Sequence, residues 1–109
     1  MARDAGLEEL IRNELQTVPG VSEKAMFGGL AWLLNDNLLC GARDDGMLVR
    51  LGKGQDSWAL RIHGVAPMQS GRRTMLGWVR CNSDVFGDDK LRKQLIACAV
   101  DFVRSLSNK

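Results

Sequence analysis

Hydrophobic residues recur every three or four positions near both ends of the chain, a spacing that is typical of amphipathic helices. The N-terminal stripe consists of Leu7, Leu10, Ile11, Leu15 and Val18, and the C-terminal stripe consists of Leu91, Leu95, Ala99, Phe102 and Leu106. Pro19 disfavours helical geometry in the residue before it, and Gly20 follows. The spacing therefore predicts a first helix from about Asp4 to Thr17 and a helical C-terminal segment.

From Lys24 onward the hydrophobic period changes to two, which is typical of strands. We interpret 25–35 as an opening strand that contains the pair Gly28-Gly29, and glycine inside a strand marks a bulge or a close approach of another backbone. Residues 38–43 and 47–51 are two further strands, separated by turn residues at 35–37 and 44–46. The pattern predicts a three-stranded antiparallel meander.

The second half of the chain is predicted to contain a short helix and two more strands. Asp56 or Ser57 suits the N-cap of that helix, and Gly64 suits the position after its end. Pro67-Met68 and 74–81 are the predicted strands. The order α-β-β-β-α-β-β-α, with about five antiparallel strands, predicts an α+β two-layer sandwich. The length of 109 residues fits a single domain, 1–109.

The predicted meander carries leucines toward both faces of the sheet. Strict alternation places Leu33, Leu39 and Leu48 on one face of the sheet. Leu34, Leu38 and Val49 then lie on the other face. Three helices are enough to cover one face, and a second apolar face does not stay exposed to water. We therefore expect another subunit or a protein partner to cover it. The expected contact surface consists of Gly28, Gly29, Leu33 and Leu39.

Composition restricts the class of partner and the compartment. The net charge is only +2, so no overall basic field demands nucleic acid or a membrane surface. Arg3, Asp4, Glu8 and Glu9 exclude a secretory signal, and no apolar run approaches the roughly 20 residues of a membrane helix. The three cysteines lie far apart, which indicates buried free thiols. These features predict a cytoplasmic protein.

His63 is the only histidine, and no nucleophile or carboxylate is placed beside it by the sequence. A single histidine and scattered cysteines offer no metal-ligand spacing, and no cofactor motif is present. We therefore expect no enzymatic activity, no metal and no cofactor. A small-molecule site or enzyme near His63 and the loop 70–73 remains an alternative.

Arg72, Arg73 and Arg80 are the strongest indication of direct nucleic-acid binding. Two of them lie in a predicted loop and the third on the adjoining strand, where they could contact phosphates. A face of mixed charge explains them equally well, because no recognition helix is distinguishable. Direct nucleic-acid binding is the second alternative.

Several segments resemble the N-terminal domain of TfoX-type competence regulators. The block Lys24-Ala25-Met26-Phe27-Gly28-Gly29 is the most specific part, and 30–35, 46–51 and 75–79 are similar to later parts of that domain. The resemblance runs from about Leu7 to Leu106.

This resemblance implies a small bacterial α+β domain whose fold is similar to the secretion-chaperone-like domains, which often pair as dimers. Full-length regulators of this type carry a second, C-terminal helical domain and activate genes for DNA uptake together with a cyclic-AMP-responsive activator. No catalytic set accompanies the family domain. The resemblance therefore implies a non-enzymatic, homodimeric interaction module that regulates transcription or competence through partners in the transcription machinery.

Overall fold

The structure is a computed structural model that describes residues 4–26, 28–70 and 72–107. In chain order its elements are α1 (Ala5–Leu15), β1 (Val21–Met26), β2 (Gly29–Leu34), β3 (Asn37–Arg43), β4 (Gly46–Arg50), α2 (Ser57–Leu60), β5 (Val65–Ser70), β6 (Arg73–Cys81), α3 (Ser83–Phe86) and α4 (Asp89–Ser107). The predicted first helix is confirmed. The Asp4 side chain caps it by accepting a hydrogen bond from Leu7 N at 2.9 Å.

Six antiparallel strands form one sheet in the order β1-β2-β3-β4-β6-β5. The helix α4 contacts β2, β3 and β4, and the apolar side of α1 joins the same core. The predicted α+β two-layer sandwich is therefore confirmed, with six strands in place of the expected five. The short helix α3 before α4 was not predicted.

The glycine pair explains the extra strand. Gly28 has φ +76° and occupies the turn between β1 and β2, which pair with each other as a hairpin. The interpretation of 25–35 as one continuous strand is therefore wrong. Gly29 does provide a close approach, because a Cβ there would lie 2.0 Å from the carbonyl oxygen of Ala42. Phe27, which belongs to the family-like block, lies outside the described residues.

The main core lies between the sheet and the helices. It includes Leu7, Ile11, Leu15, Trp32, Leu34, Leu39, Cys40, Met47, Val49, Val79, Cys81, Leu95, Ala99 and Val103. On the central strands, Cys40, Val49 and Val79 are aligned by the register and point toward the helices. Alternate residues point to the opposite side of the sheet, which we call the outer face.

A β-bulge changes which leucine at the start of β3 points into the main core. The register between β2 and β3 shifts between Trp32 and Leu33, so Leu33 pairs with Leu38 while Trp32 pairs with Cys40. Leu39 is the additional residue and is fully buried in the main core, whereas Leu38 packs on the outer face. The predicted placement of Leu39 on the outer face, opposite Leu38, is therefore wrong, because strict alternation fails at a bulge.

Candidate interaction surface

The outer face carries its own small hydrophobic cluster. Leu48 is fully buried there, Met68 and Trp78 are nearly so, and Leu38 and Met75 pack against them. These five residues lie on β3, β4, β5 and β6 of the same sheet. Side chains of the β5–β6 hairpin therefore bury part of this face within the chain itself, and its coverage by another subunit or a protein partner stays a prediction.

An irregularity in β6 makes this burial possible. The pairing of β5 with β6 shifts between Pro67 and Gln69, so that Met68 lies opposite a longer segment of β6. Gly77 within that segment has φ +83°, a conformation that L residues rarely adopt. As a result, both Met75 and Trp78 contact the outer-face cluster, although simple alternation would place them on opposite sides.

One leucine in this segment remains largely in water. Leu76 is 63% exposed, and among the described residues the only other large exposed hydrophobic side chain is Leu60 on α2, at 37%. The exposed Arg72 and Arg73 precede Leu76 at the end of the same hairpin. The hairpin 65–81 contains three arginines and no aspartate or glutamate. It therefore combines an exposed apolar side chain with net positive charge.

The four residues expected to form the partner contact do not form one surface. Leu33 is half-buried and pairs with Leu38, so it borders the outer-face cluster. Gly28 is exposed in the turn at the other end of β2, and Gly29 is buried against β3. Leu39 belongs to the main core. Of the four, Leu33 is the one that the structure places beside the outer-face cluster.

The three arginines of the nucleic-acid alternative are also separated. Arg73 begins β6, whereas Arg80 lies seven residues further along, near the other end of the strand. The Arg80 side chain donates to the carbonyl oxygen of Asp45 at 3.5 Å. The carboxylate of Asp45 is bound by Arg43, which lowers its pKa. Arg72 and Arg73 are therefore close together, whereas Arg80 contacts the β3–β4 turn.

The structure does not assemble a site around His63. Its side chain is exposed between α2 and β5, and it has no hydrogen bond or ion pair with any described residue. The loop 70–73 lies at the other end of β5, and Gly71 within it is outside the described residues. Among the described residues, no group of three or more His, Cys, Asp or Glu side chains is placed to hold a metal ion.

The exposure of Leu76 does not follow from the sequence pattern, which predicts Leu76 within a regular strand. The irregular pairing of β6 opposite Met68 is likewise absent from that pattern. Gly77 was the available signal, because glycine inside a strand pattern often accompanies a bulge.

Comparison with known proteins gives one family match. A model of the TfoX N-terminal domain family matches residues 13–103, most of the chain. No curated protein and no solved structure matches. Within the described part of the chain, none of the helices has the length and hydropathy of a membrane span.

Proposed function

The chain belongs to the TfoX N-terminal domain family, and we propose that it is a non-enzymatic interaction module that regulates transcription or competence through protein contacts in the cytoplasm. The observation that carries the proposal is the exposed Leu76 beside the basic end of the β5–β6 hairpin. We define the docking surface as Leu76, Arg72, Arg73 and the half-buried Met75.

The chemistry of this surface suits a protein partner. Covering an exposed leucine gains about 1.5–3 kcal/mol when the side chain becomes fully buried. Arginine and methionine are enriched at protein interfaces, and methionine adapts to irregular apolar surfaces. The surface therefore offers one apolar anchor surrounded by groups that fix the orientation of a partner.

The edges of the sheet are less suitable for docking. The edge strand β1 carries Glu23 and Lys24, and charged side chains on an edge discourage strand addition. The opposite edge strand, β5, contains Pro67, which has no N–H to donate. We therefore place the contact at the docking surface rather than at a sheet edge.

A second copy of the chain is the first partner that we propose. In a two-fold symmetric dimer each copy contributes the same surface. Sedimentation velocity on the wild type, L76E and L60E tests this arrangement. We expect a dimer for the wild type and L60E and a monomer for L76E, because the substitution removes the apolar side chain that anchors the interface. A wild type that stays monomeric at high micromolar concentration would refute the dimer.

The regulatory part of the proposal requires a protein of the transcription machinery as a further partner. Affinity capture with the wild type and L76E from the native host tests it. Transcription proteins recovered with the wild type and lost with L76E support the proposal. Equal recovery with both proteins contradicts a contact through the docking surface.

Direct nucleic-acid binding is a second candidate function, because Arg72 and Arg73 are adjacent and exposed. Phosphate contacts weaken steeply with salt, so gel shifts at several salt concentrations reveal them. We expect no retardation of DNA at low salt. Retardation that is lost in R72A/R73A, but kept in the control R61A, would replace the protein-contact proposal.

A further inference from the structure

A cleft of about 470 Å³ opens between α4 and the segment that joins β4 to α2. Its apolar lining comes from Leu51, Trp58, Cys98 and Phe102, while the polar lining includes Lys53 and Asp101. Ligand sites of proteins are clefts of about 300–1,000 Å³ with mostly apolar walls and a few polar groups. This cleft has both properties.

The Phe102 wall of the cleft is held in place before any ligand arrives. The backbone of Gly52 lies so close that a Cβ there would be 2.6 Å from Phe102 Cδ1. The guanidinium carbon of Arg50 is 5.6 Å from the centroid of the same ring, within the range of a cation–π contact. These two contacts therefore fix the position of the Phe102 ring in the wall of the cleft.

The opposite wall is also anchored to the sheet. Leu51 N and Gly52 N both donate to the carbonyl oxygen of Gly77, at 2.7 and 3.1 Å. These bonds fix the start of the segment that carries Lys53 and leads into α2, where Trp58 is half-buried. Preorganisation of this kind lowers the entropy that binding must overcome.

The lining selects for a flat molecule with two opposite charges. Trp58 and Phe102 both line the cleft, and aromatic side chains pack favourably against a planar ring. Lys53 and Asp101 are exposed, and neither forms an ion pair with a described residue. Burial and the nearby Asp101 raise the pKa of Cys98, which keeps its thiol neutral as part of the apolar wall.

We propose that this cleft binds a small aromatic zwitterion, a planar ring with one ammonium and one carboxylate group. Lys53 binds the carboxylate, Asp101 binds the ammonium, and the ring lies between Trp58 and Phe102. This site is separate from the docking surface.

Titration of the ¹⁵N-labelled protein with L-tryptophan, observed through the three tryptophan indole N–H signals, tests the proposal. We expect the signal of Trp58 to shift in a saturable manner. The signals of Trp32, whose Nε1 is bound to Glu23, and of Trp78, which lies in the outer-face cluster, should stay in place. No saturable shift of Trp58, or equal shifts of all three signals, would overturn the proposal.

Two analogues separate the contributions of the charges. Tryptamine lacks the carboxylate and indole-3-propionate lacks the ammonium, and we expect each to bind about three- to fivefold more weakly than L-tryptophan, as for solvent-exposed ion pairs. K53Q should lower the affinity for L-tryptophan and for indole-3-propionate but not for tryptamine. D101N should lower the affinity for L-tryptophan and for tryptamine but not for indole-3-propionate. If neither variant changes the order of affinities, the zwitterion assignment is wrong.

A cleft-filling variant provides the steric test. C98L adds volume to the wall of the cleft and should reduce the affinity for L-tryptophan at least about tenfold. The control A97L changes the adjacent, exposed position of α4, outside the lining of this cleft, and should bind like the wild type. Equal affinity in both variants would contradict the location. L76E should bind L-tryptophan normally, so failure of this site and failure of the docking surface are distinguishable.

Discussion

Glu23 Oε1 accepts a hydrogen bond from Trp32 Nε1 at 3.1 Å, across the β1–β2 pair. The same oxygen accepts from Arg12 Nε at 2.8 Å, so one carboxylate of an edge strand joins α1 to a buried tryptophan. The indole ring fills the main core, while its single polar group reaches this carboxylate at the sheet edge. The contact therefore connects the first helix, the edge strand and the core.

Replacement of Glu23 should separate the two contacts. E23L leaves the indole N–H without this acceptor and should lower the free energy of unfolding by about 1–2 kcal/mol. E23Q keeps an acceptor for Trp32 and should cost less. Chemical denaturation of both variants measures the difference, and equal losses would show that the indole contact contributes little.

The same carboxylate should make stability depend on acid pH. The hydrogen bond from Arg12, followed by the weaker effects of its charge and of Trp32, lowers the pKa of Glu23. A lowered pKa in the folded state means that the stabilisation is present above the ordinary pKa, about 4.3, and is lost as the pH falls through the lowered value. Between pH 7 and pH 3, the free energy of unfolding should decrease less for E23Q than for the wild type.

Gly77 should be far less tolerant of alanine than Gly54, although both have φ +83°. A Cβ at Gly77 would lie 2.6 Å from the backbone of Gly52 and Lys53, whereas a Cβ at Gly54 meets nothing within 4 Å. G54A should cost about 1–2 kcal/mol from the left-handed backbone alone. G77A should cost that amount plus the displacement of a backbone segment. Similar thermal unfolding of the two variants would contradict the close approach.

Arg92 should be essential for the attachment of α4 to α1. It is 5% exposed, and its guanidinium contacts Glu14 at 3.2 Å, Asp89 at 2.8 Å and the carbonyl oxygen of Phe86 at 2.8 Å. R92M should lower the free energy of unfolding by about 3 kcal/mol, because the partly buried Glu14 then loses its closer and buried cationic partner and keeps only the exposed Lys93 nearby. The control K93M removes an exposed lysine near the same carboxylate and should cost little. Additive effects of R92M and E14Q would show that the pair does not interact.

The cysteines should differ in reactivity. Burial raises the pKa of the Cys40 thiol and raises that of Cys81 to about 12, so neither forms a thiolate at pH 8. Cys98 is half-buried and is the accessible candidate. Titration with a disulfide reagent should detect at most one thiol in the native protein and three after denaturation. Rapid reaction of two or more native thiols would contradict the buried positions.

Local signals in the sequence predicted most elements correctly. The hydrophobic stripe that begins at Leu7 and the residues Pro19-Gly20 indicated the extent of α1, because periodicity and proline geometry depend on neighbouring residues only. The turn residues at 44–46 also predicted a real hairpin. The two glycines at 28 and 29 were read as one feature, although Gly28 makes a turn and Gly29 meets the backbone of β3. Sequence neighbours alone do not distinguish those two roles.

The sequence by itself determined the α+β class, the helix-facing stripes and the family, because these follow from periodicity and from motifs within short segments. Only the tertiary structure decided which leucine of the pair Leu38-Leu39 enters the main core, since a bulge depends on the partner strand. It also decided that the β5–β6 hairpin buries part of the outer face and leaves Leu76 exposed. Such outcomes depend on contacts between residues distant in the chain, and the pattern within one segment does not contain them.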